Sequence, residues 1–255
     1  MTDIKLYGYA TSPFVRKVGC FLYYKGVAFE HVTVDPTYPE ATIVHSYGSQ
    51  LTVFEIVVEY RRESSDLAFW LDERFPEKPL CPAAHKETIL AIDRWISETF
   101  LLSIFRGAVE SDLSLQFRYR GWRLAALVSA HTPLPEHVRH YWPEGLKKAP
   151  FIQAMAAQMD LTENYRDMQV RIFLELVAHL GDGPYMGGID QPTMLDLAVF
   201  PQLVFGYMFG LEEQLSAAAH PAVKAWMQRV ATHLPENPTL VADMMQIKSL
   251  SDALA

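Results

Sequence analysis

A proline-rich segment near residue 80 divides this chain into two parts with different residue patterns. The segment PEKPLCPAAHKE, residues 76–87, shows no hydrophobic period, which is typical of a linker. Strand and helix signals alternate before it, whereas the chain after it is helical nearly throughout. We therefore expect a small α/β domain at residues 1–80, a linker at 81–87, a larger all-α domain at 88–240 and a C-terminal tail at 241–255.

The first part predicts a β-α-β unit that is followed by a further strand and a closing helix. IKLYGY is typical of a short strand, and SPFVRKVGCFLYYKG after it is typical of a helix. Ser12 suits the N-cap of that helix, Pro13 its first turn and Gly26 its end. The β-branched run from Leu51 to Val58 predicts another strand, and SSDLAFWLDERFP predicts a helix that ends at Pro76.

The second part contains one segment that is apolar almost without interruption, LDLAVFPQLVFGYMFGL at residues 195–211. It holds Asp196, Pro201 and Gln202 and is short for a bilayer, so it predicts a buried core helix. Thr193 and Asp196 fit the capping box that opens such a helix. Elsewhere, ETILAIDRWISETFLLSIF and YRDMQVRIFLELVAHLG carry apolar residues in helical step.

Charge and composition exclude several classes of function. The net charge of −8 argues against a nucleic-acid partner, and the start of the chain shows no secretory signal. The two cysteines form no CxxC motif and the nine histidines show no HExxH spacing, so no metal site is predicted. We expect a cytoplasmic protein without a membrane partner, and we expect Cys20 to be a small buried side chain.

Four stretches, in order along the chain, resemble the cytosolic glutathione S-transferase family. They are YATSPFVRKV, ESSDLAFWLDERFPEKPLCP, GPYMGGIDQPTMLDLAVFPQL and HPAVKAWMQRV, and the resemblance covers roughly residues 4–240. It is to serine-using, bacterial-like members, and it implies a thioredoxin-like N-terminal domain joined to an all-α C-terminal domain. It further implies glutathione as co-substrate, an electrophilic small molecule as second substrate, and a homodimer.

The candidate catalytic residue is Ser12, because a hydroxyl at the turn from strand to helix lies near partial positive charge. Such a site can stabilise the glutathione thiolate, which is the nucleophile. The resemblance places the catalytic hydroxyl at the same turn. Thr11 is the alternative, since the alignment is ambiguous by one residue, and Ser12 could instead serve only as an N-cap. Tyr7 and Tyr9 are interpreted as alternating strand residues.

Glu63 and Ser64 match the family's Glu-Ser pair, which binds the γ-glutamyl end of glutathione. Glu63 can pair with the ammonium group, while the Ser64 hydroxyl and the following helix N-terminus can bind the carboxylate. The alternative is an ordinary helix cap beside a solvated acid. Arg61 and Arg62 are interpreted as exposed charges at a strand end.

Thr52 stands where the family carries a cis-proline, which is the main departure from the family pattern. The resemblance places the backbone of Leu51 against the cysteine of glutathione and the side chain of Gln50 near its glycine carboxylate. A cis bond before a non-proline residue costs roughly 2.5–4 kcal/mol, so Thr52 can reshape this part of the site.

We therefore expect a glutathione transferase in which the thiolate attacks an electrophile held by the helical domain. Two alternatives stay open. One is a protein of the same fold that binds or assembles without catalysis, and the other is a glutathione-dependent isomerase or dehalogenase. We expect residues 107–150 to shape the electrophile pocket, with Arg118, Tyr119 or Arg123 either facing an anionic electrophile or lying solvated on a helix.

Overall fold

The computed structural model describes residues 4–34, 53–56, 59–61, 64–109, 123, 126, 127, 130, 136, 150–211 and 220–255. The N-terminal part contains a four-stranded sheet in the order β2-β1-β3-β4, formed by β1 (Ile4–Tyr7), β2 (Glu30–Val32), β3 (Val53–Ile56) and β4 (Glu59–Arg61). Strand β1 is parallel to β2 and antiparallel to β3, and β3 is antiparallel to β4. The parallel pair requires a crossover helix between β1 and β2.

Two helices accompany the sheet, α1 (Pro13–Lys25) and α2 (Ser64–Arg74). Helix α1 begins with proline in its first turn and ends at Gly26, which adopts the left-handed conformation at φ 69°. Both bounds agree with the sequence prediction. Helix α2 buries one face, Leu67, Ala68, Trp70 and Leu71, as its apolar spacing predicts.

In the described residues of the C-terminal part, the regular elements are helices, joined by turns and by an isolated bridge between Tyr185 and Ile189. Its helices are α3 (Lys86–Trp95), α4 (Leu101–Val109), α5 (Pro150–Ala156), α6 (Tyr165–Leu180), α7 (Met194–Phe209), α8 (Pro221–Ala231) and α9 (Leu250–Leu254). A π-helical turn, Ile96–Phe100, joins α3 to α4. The segment predicted as a linker contains a 3₁₀ turn, Ala83–His85, and the first residues of α3. No helix in the described part is both long and apolar enough to cross a membrane.

Helix α7 is the buried core helix that the apolar run predicts. Its Thr193–Asp196 capping box is present, and the Asp196 carboxylate also accepts hydrogen bonds from the backbone N–H of Met186 (2.9 Å) and the indole N–H of Trp226 (2.7 Å). Asp196 is fully buried. One side chain thus fixes the start of α7, the preceding loop and α8.

Helix α1 packs against α7, so the two domains share one continuous core. The Cys20 thiol on α1 donates a weak hydrogen bond to the carbonyl of Pro238 (3.4 Å), and burial raises its pKa. Cys20 is therefore the inert buried side chain that the sequence predicts. The fold is the predicted one, an α/β thioredoxin-like domain followed by an all-α domain, although the domain bounds stay predictions.

Removing the Asp196 carboxylate should destabilise the fold strongly. Asp196→Ala leaves buried donors on Met186, Thr193 and Trp226 without an acceptor, so we expect a loss of about 3 kcal/mol or more in the free energy of unfolding, measured by denaturant titration. Asp252→Ala is the matched control, because Asp252 forms the same capping box at α9 but is exposed. Equal unfolding midpoints for the two variants would contradict this role.

Candidate functional site

The turn between β1 and α1 carries both candidate hydroxyls, Thr11 and Ser12. The turn is held by the Ser12 N–H, which donates to the Tyr9 carbonyl (2.8 Å), and by the Ser12 carbonyl, which accepts from the Arg16 N–H (3.0 Å). Both Thr11 and Ser12 are half-buried, so they are partly accessible to solvent. The structure brings the two predicted catalytic candidates together on one turn and does not choose between them.

Gly8 permits the turn to start immediately after β1. Its φ is +150°, and a Cβ added there would lie 2.5 Å from Cγ2 of Val15 on α1. Any side chain at this position would push α1 away from the end of β1. Gly8 therefore sets how closely the first turn of α1 approaches the sheet.

Ser12 occupies the N-cap position of α1 with extended backbone, but its side chain makes no capping hydrogen bond. The predicted N-cap position of Ser12 is therefore confirmed, while its hydroxyl does not cap the helix. Pro13 has no N–H, and the first intrahelical bond comes from Arg16, so the N–H groups of Phe14 and Val15 have no acceptor within the helix. The Ser12 hydroxyl and the positive end of the helix dipole can therefore act on an anion at the same place.

Ser64 begins α2, where the helix N-terminus can bind a carboxylate. Next to it, Ser65 Oγ accepts a hydrogen bond from Lys17 Nζ (3.1 Å), and Lys17 is also paired with Asp93 on α3 (3.2 Å). Lys17 is fully buried. Through this side chain, α1 and the start of α2 are tied to each other and to the helical domain.

Four of the predicted binding residues, Gln50, Leu51, Thr52 and Glu63, lie outside the described residues, so their roles stay predictions. The described neighbour of Thr52 is Val53, which begins β3 and pairs with Tyr7. Tyr7 is the last residue of β1. The chain therefore enters β3 at the end of the sheet from which the Ser12 turn leaves.

A polar pair beneath the turn was not predicted from the sequence. The Arg16 guanidinium donates to the Thr11 carbonyl (2.6 Å) and, with two of its nitrogens, to Gln202 Oε1 on α7 (3.2 and 2.7 Å). Gln202 Nε2 donates in turn to the Pro13 carbonyl (2.9 Å). A signal in the sequence is that Arg16 and Gln202 each lie among apolar residues of a helix, where polar groups are rarely buried without partners.

Aromatic side chains from both domains lie beside the turn. The Phe14 ring stacks on Phe105 of α4, with ring centroids 6.3 Å apart and an interplanar angle of 20°. Both residues are half-buried. Together they form a partly exposed apolar surface next to the Ser12 turn.

Arg123, which the sequence offered as a residue facing an anionic electrophile, binds backbone carbonyls instead. Its guanidinium donates to Phe209, at the C-terminal end of α7, and to Met245 (3.2 Å). A cation at this end of a helix is favourable to the dipole. Arg118 and Tyr119 lie outside the described residues. Within the described part of the chain, no cluster of side chains could hold a metal ion.

Two family models match the chain. The model described as glutathione S-transferase, N-terminal domain, matches residues 6–79, and the one described as glutathione S-transferase, C-terminal domain, matches residues 159–229. Together they account for more than half of the chain. No curated protein sequence matches it.

Solved glutathione transferases share the fold at low sequence identity. A glutathione S-transferase from Rhodospirillum rubrum F11 is 18% identical with a TM-score of 0.60, over 90% of this chain and 88% of that one. The β-etherase LigF from Sphingobium sp. strain SYK-6 is 22% identical with a TM-score of 0.58, over 90% and 95%. Human glutathione transferase theta-2, solved with glutathione, is 18% identical with a TM-score of 0.56, over 92% and 84%.

Replacing Gly8 should disturb the turn more than replacing another glycine of positive φ. We expect Gly8→Ala to lower the free energy of unfolding by about 2 kcal/mol more than Gly26→Ala, because only the Gly8 methyl meets a neighbouring side chain. Gly26→Ala, whose Cβ points into open space, should cost about 1 kcal/mol for its backbone conformation alone. Denaturant unfolding of both variants measures the difference, and indistinguishable midpoints would rule out the close approach at Gly8.

Proposed function

Because the chain belongs to the glutathione S-transferase family, we propose that it binds glutathione and attaches it, through its sulfur, to an electrophilic small molecule. The observation that carries this proposal is the turn at Ser12, where a hydroxyl that is not used in capping stands at the start of a thirteen-residue helix. Glutathione is the co-substrate, and no metal takes part. As the resemblance implies, the protein acts as a cytoplasmic homodimer.

The Ser12 hydroxyl donates a hydrogen bond to the glutathione sulfur and stabilises the thiolate over the thiol. A free thiol has a pKa near 8.5, so at neutral pH it is mostly protonated. The proton leaves to water, and the sulfur lone pair forms a new S–C bond with the electrophile while its leaving group departs. The N–H groups of Phe14 and Val15 and the dipole of α1 favour the same negative charge.

The tripeptide is anchored at the start of α2. Ser64 and the N–H groups of the first turn bind the γ-glutamyl carboxylate, and the Glu63 carboxylate pairs with the ammonium group. The Leu51 backbone faces the cysteine residue of glutathione, and Gln50 reaches the glycine carboxylate. Because Thr52 replaces the family's proline, this part of the glutathione site differs from the family pattern.

The second substrate lies against the Phe14–Phe105 stack, which borders the Ser12 turn. A flat apolar surface favours an electrophile that carries an aromatic ring or an extended apolar group. The absence of the family's proline at position 52 favours, as a second candidate, a protein of this fold that has lost catalysis. That candidate predicts no glutathione binding.

Calorimetric titration with reduced glutathione, together with turnover of an aromatic electrophile, tests the proposal. We expect wild-type protein to bind, and we expect Ser12→Ala to keep its affinity within a few-fold while its kcat falls about 100-fold, the usual loss for one donor to a developing anion. Thr11→Val is the matched control and should retain turnover.

Two results would count against this assignment. Normal turnover in Ser12→Ala with loss in Thr11→Val would move the catalytic role to Thr11. If the wild-type protein gives no binding heat at millimolar glutathione, the second candidate, a protein of this fold without catalysis, is the better assignment.

A further inference from the structure

Helix α1 buries a guanidinium beneath the Ser12 turn. Arg16 is 2% exposed, and each of its three nitrogens donates to an oxygen, either the Thr11 carbonyl or the Gln202 side-chain carbonyl. Its Cζ lies 3.8 Å from the centroid of the Phe205 ring on α7. Both acceptor oxygens belong to uncharged groups, so these hydrogen bonds bring no negative charge to the guanidinium.

The positive charge of Arg16 therefore has no counter-charge among the described residues. Its neighbour Lys17 is equally buried, yet Lys17 is paired with the carboxylate of Asp93. The Cys20 thiol, which would raise the pKa of Arg16 if it were ionised, is neutral because burial raises its own pKa. Burial lowers the pKa of Arg16 to about 9, which still leaves the guanidinium protonated at neutral pH. A buried, unpaired charge is costly unless something compensates for it.

The position of this charge points to its counter-ion. Arg16 donates a hydrogen bond to the Thr11 carbonyl, and Gln202 donates one to the Pro13 carbonyl. The two side chains therefore fix the backbone on both sides of Ser12. An anion bound at the Ser12 hydroxyl would lie on the other side of this turn. In a region of low dielectric constant, the attraction between such charges is much stronger than in water.

We propose that Arg16 and Gln202 are positioning residues for the bound glutathione thiolate, with Arg16 supplying its buried counter-charge and Gln202 holding Arg16 without neutralising it. The inference rests on the proposed function and names what activates the thiol besides Ser12. It also makes activation depend on both domains, since Gln202 comes from α7.

The chemistry of Gln202 agrees with this role. Its side-chain carbonyl accepts from Arg16, and its side-chain N–H donates to the Pro13 carbonyl. A carboxylate could accept the first hydrogen bond but could not donate the second. A glutamate here would form an ion pair with Arg16 and would place a negative charge against the Pro13 carbonyl. An amide keeps the hydrogen bonds and leaves the field of the guanidinium intact.

The test is the ultraviolet thiolate absorbance of enzyme-bound glutathione, titrated against pH in wild type and four variants. We expect Arg16→Met and Gln202→Glu to raise the thiol pKa by about one unit, which is a tenfold loss of thiolate below that pKa. Because less thiolate forms at low pH, the acidic limb of the kcat/KM profile should move up by the same amount. Arg16→Lys retains the positive charge, so we expect its thiol pKa to lie close to the wild-type value.

Gln202→Met separates charge from structure, because it removes the amide without adding an anion. We expect Gln202→Met to raise the thiol pKa by clearly less than Gln202→Glu does, whereas a merely structural role predicts equal effects of the two variants. Equal effects, or an unchanged thiol pKa in Gln202→Glu, would overturn the inference. Should Arg16→Met fail to fold, the two Gln202 variants decide the question alone.

Failure of this inference can be distinguished from failure of the proposed function. Wild-type protein that binds glutathione with a lowered thiol pKa supports the proposed function, whatever the Arg16 and Gln202 variants show. Wild-type protein that binds no glutathione overturns both. Binding with altered affinity but unaltered thiol pKa in all four variants overturns the Arg16 inference alone.

Discussion

The packing of α1 against α7 is the contact on which the rest of this structure depends. Helix α1 carries the Ser12 turn at its start and belongs to the α/β domain, whereas α7 is the core helix of the all-α domain. Because the two share one core, the position of the turn is set by residues more than a hundred positions away. Burial of apolar side chains supplies the attraction, and the hydrogen bonds of Gln202 fix the register.

Two cations, adjacent in sequence on α1, have different environments. Lys17 meets Asp93 and Ser65, so its charge is neutralised while it ties α1 to α2 and α3. Arg16 meets an amide, a carbonyl and an aromatic face, so none of its partners in the described part of the chain neutralises its charge. One helix thus carries, side by side, a cation paired with a carboxylate and a cation whose described partners are all uncharged.

Much of the fold follows from the sequence, because local chemistry and periodicity specify it. Pro13 and Gly26 mark the ends of α1, and Thr193 with Asp196 marks the start of α7. The pair of Arg16 and Gln202 could not be predicted in this way, because the two residues are far apart in sequence. Only the packing of α1 against α7 determines that the partner of Arg16 is an amide and not a carboxylate. Nor could the sequence show that the Ser12 hydroxyl, although at the N-cap position, makes no capping hydrogen bond.

A crystal structure of the protein with reduced glutathione tests the central claim most directly. The account predicts that the glutathione sulfur lies within hydrogen-bonding distance of the Ser12 hydroxyl, above the first turn of α1, with the γ-glutamyl end at the start of α2. A sulfur placed against Tyr9, or a tripeptide bound away from the Ser12 turn, would contradict it.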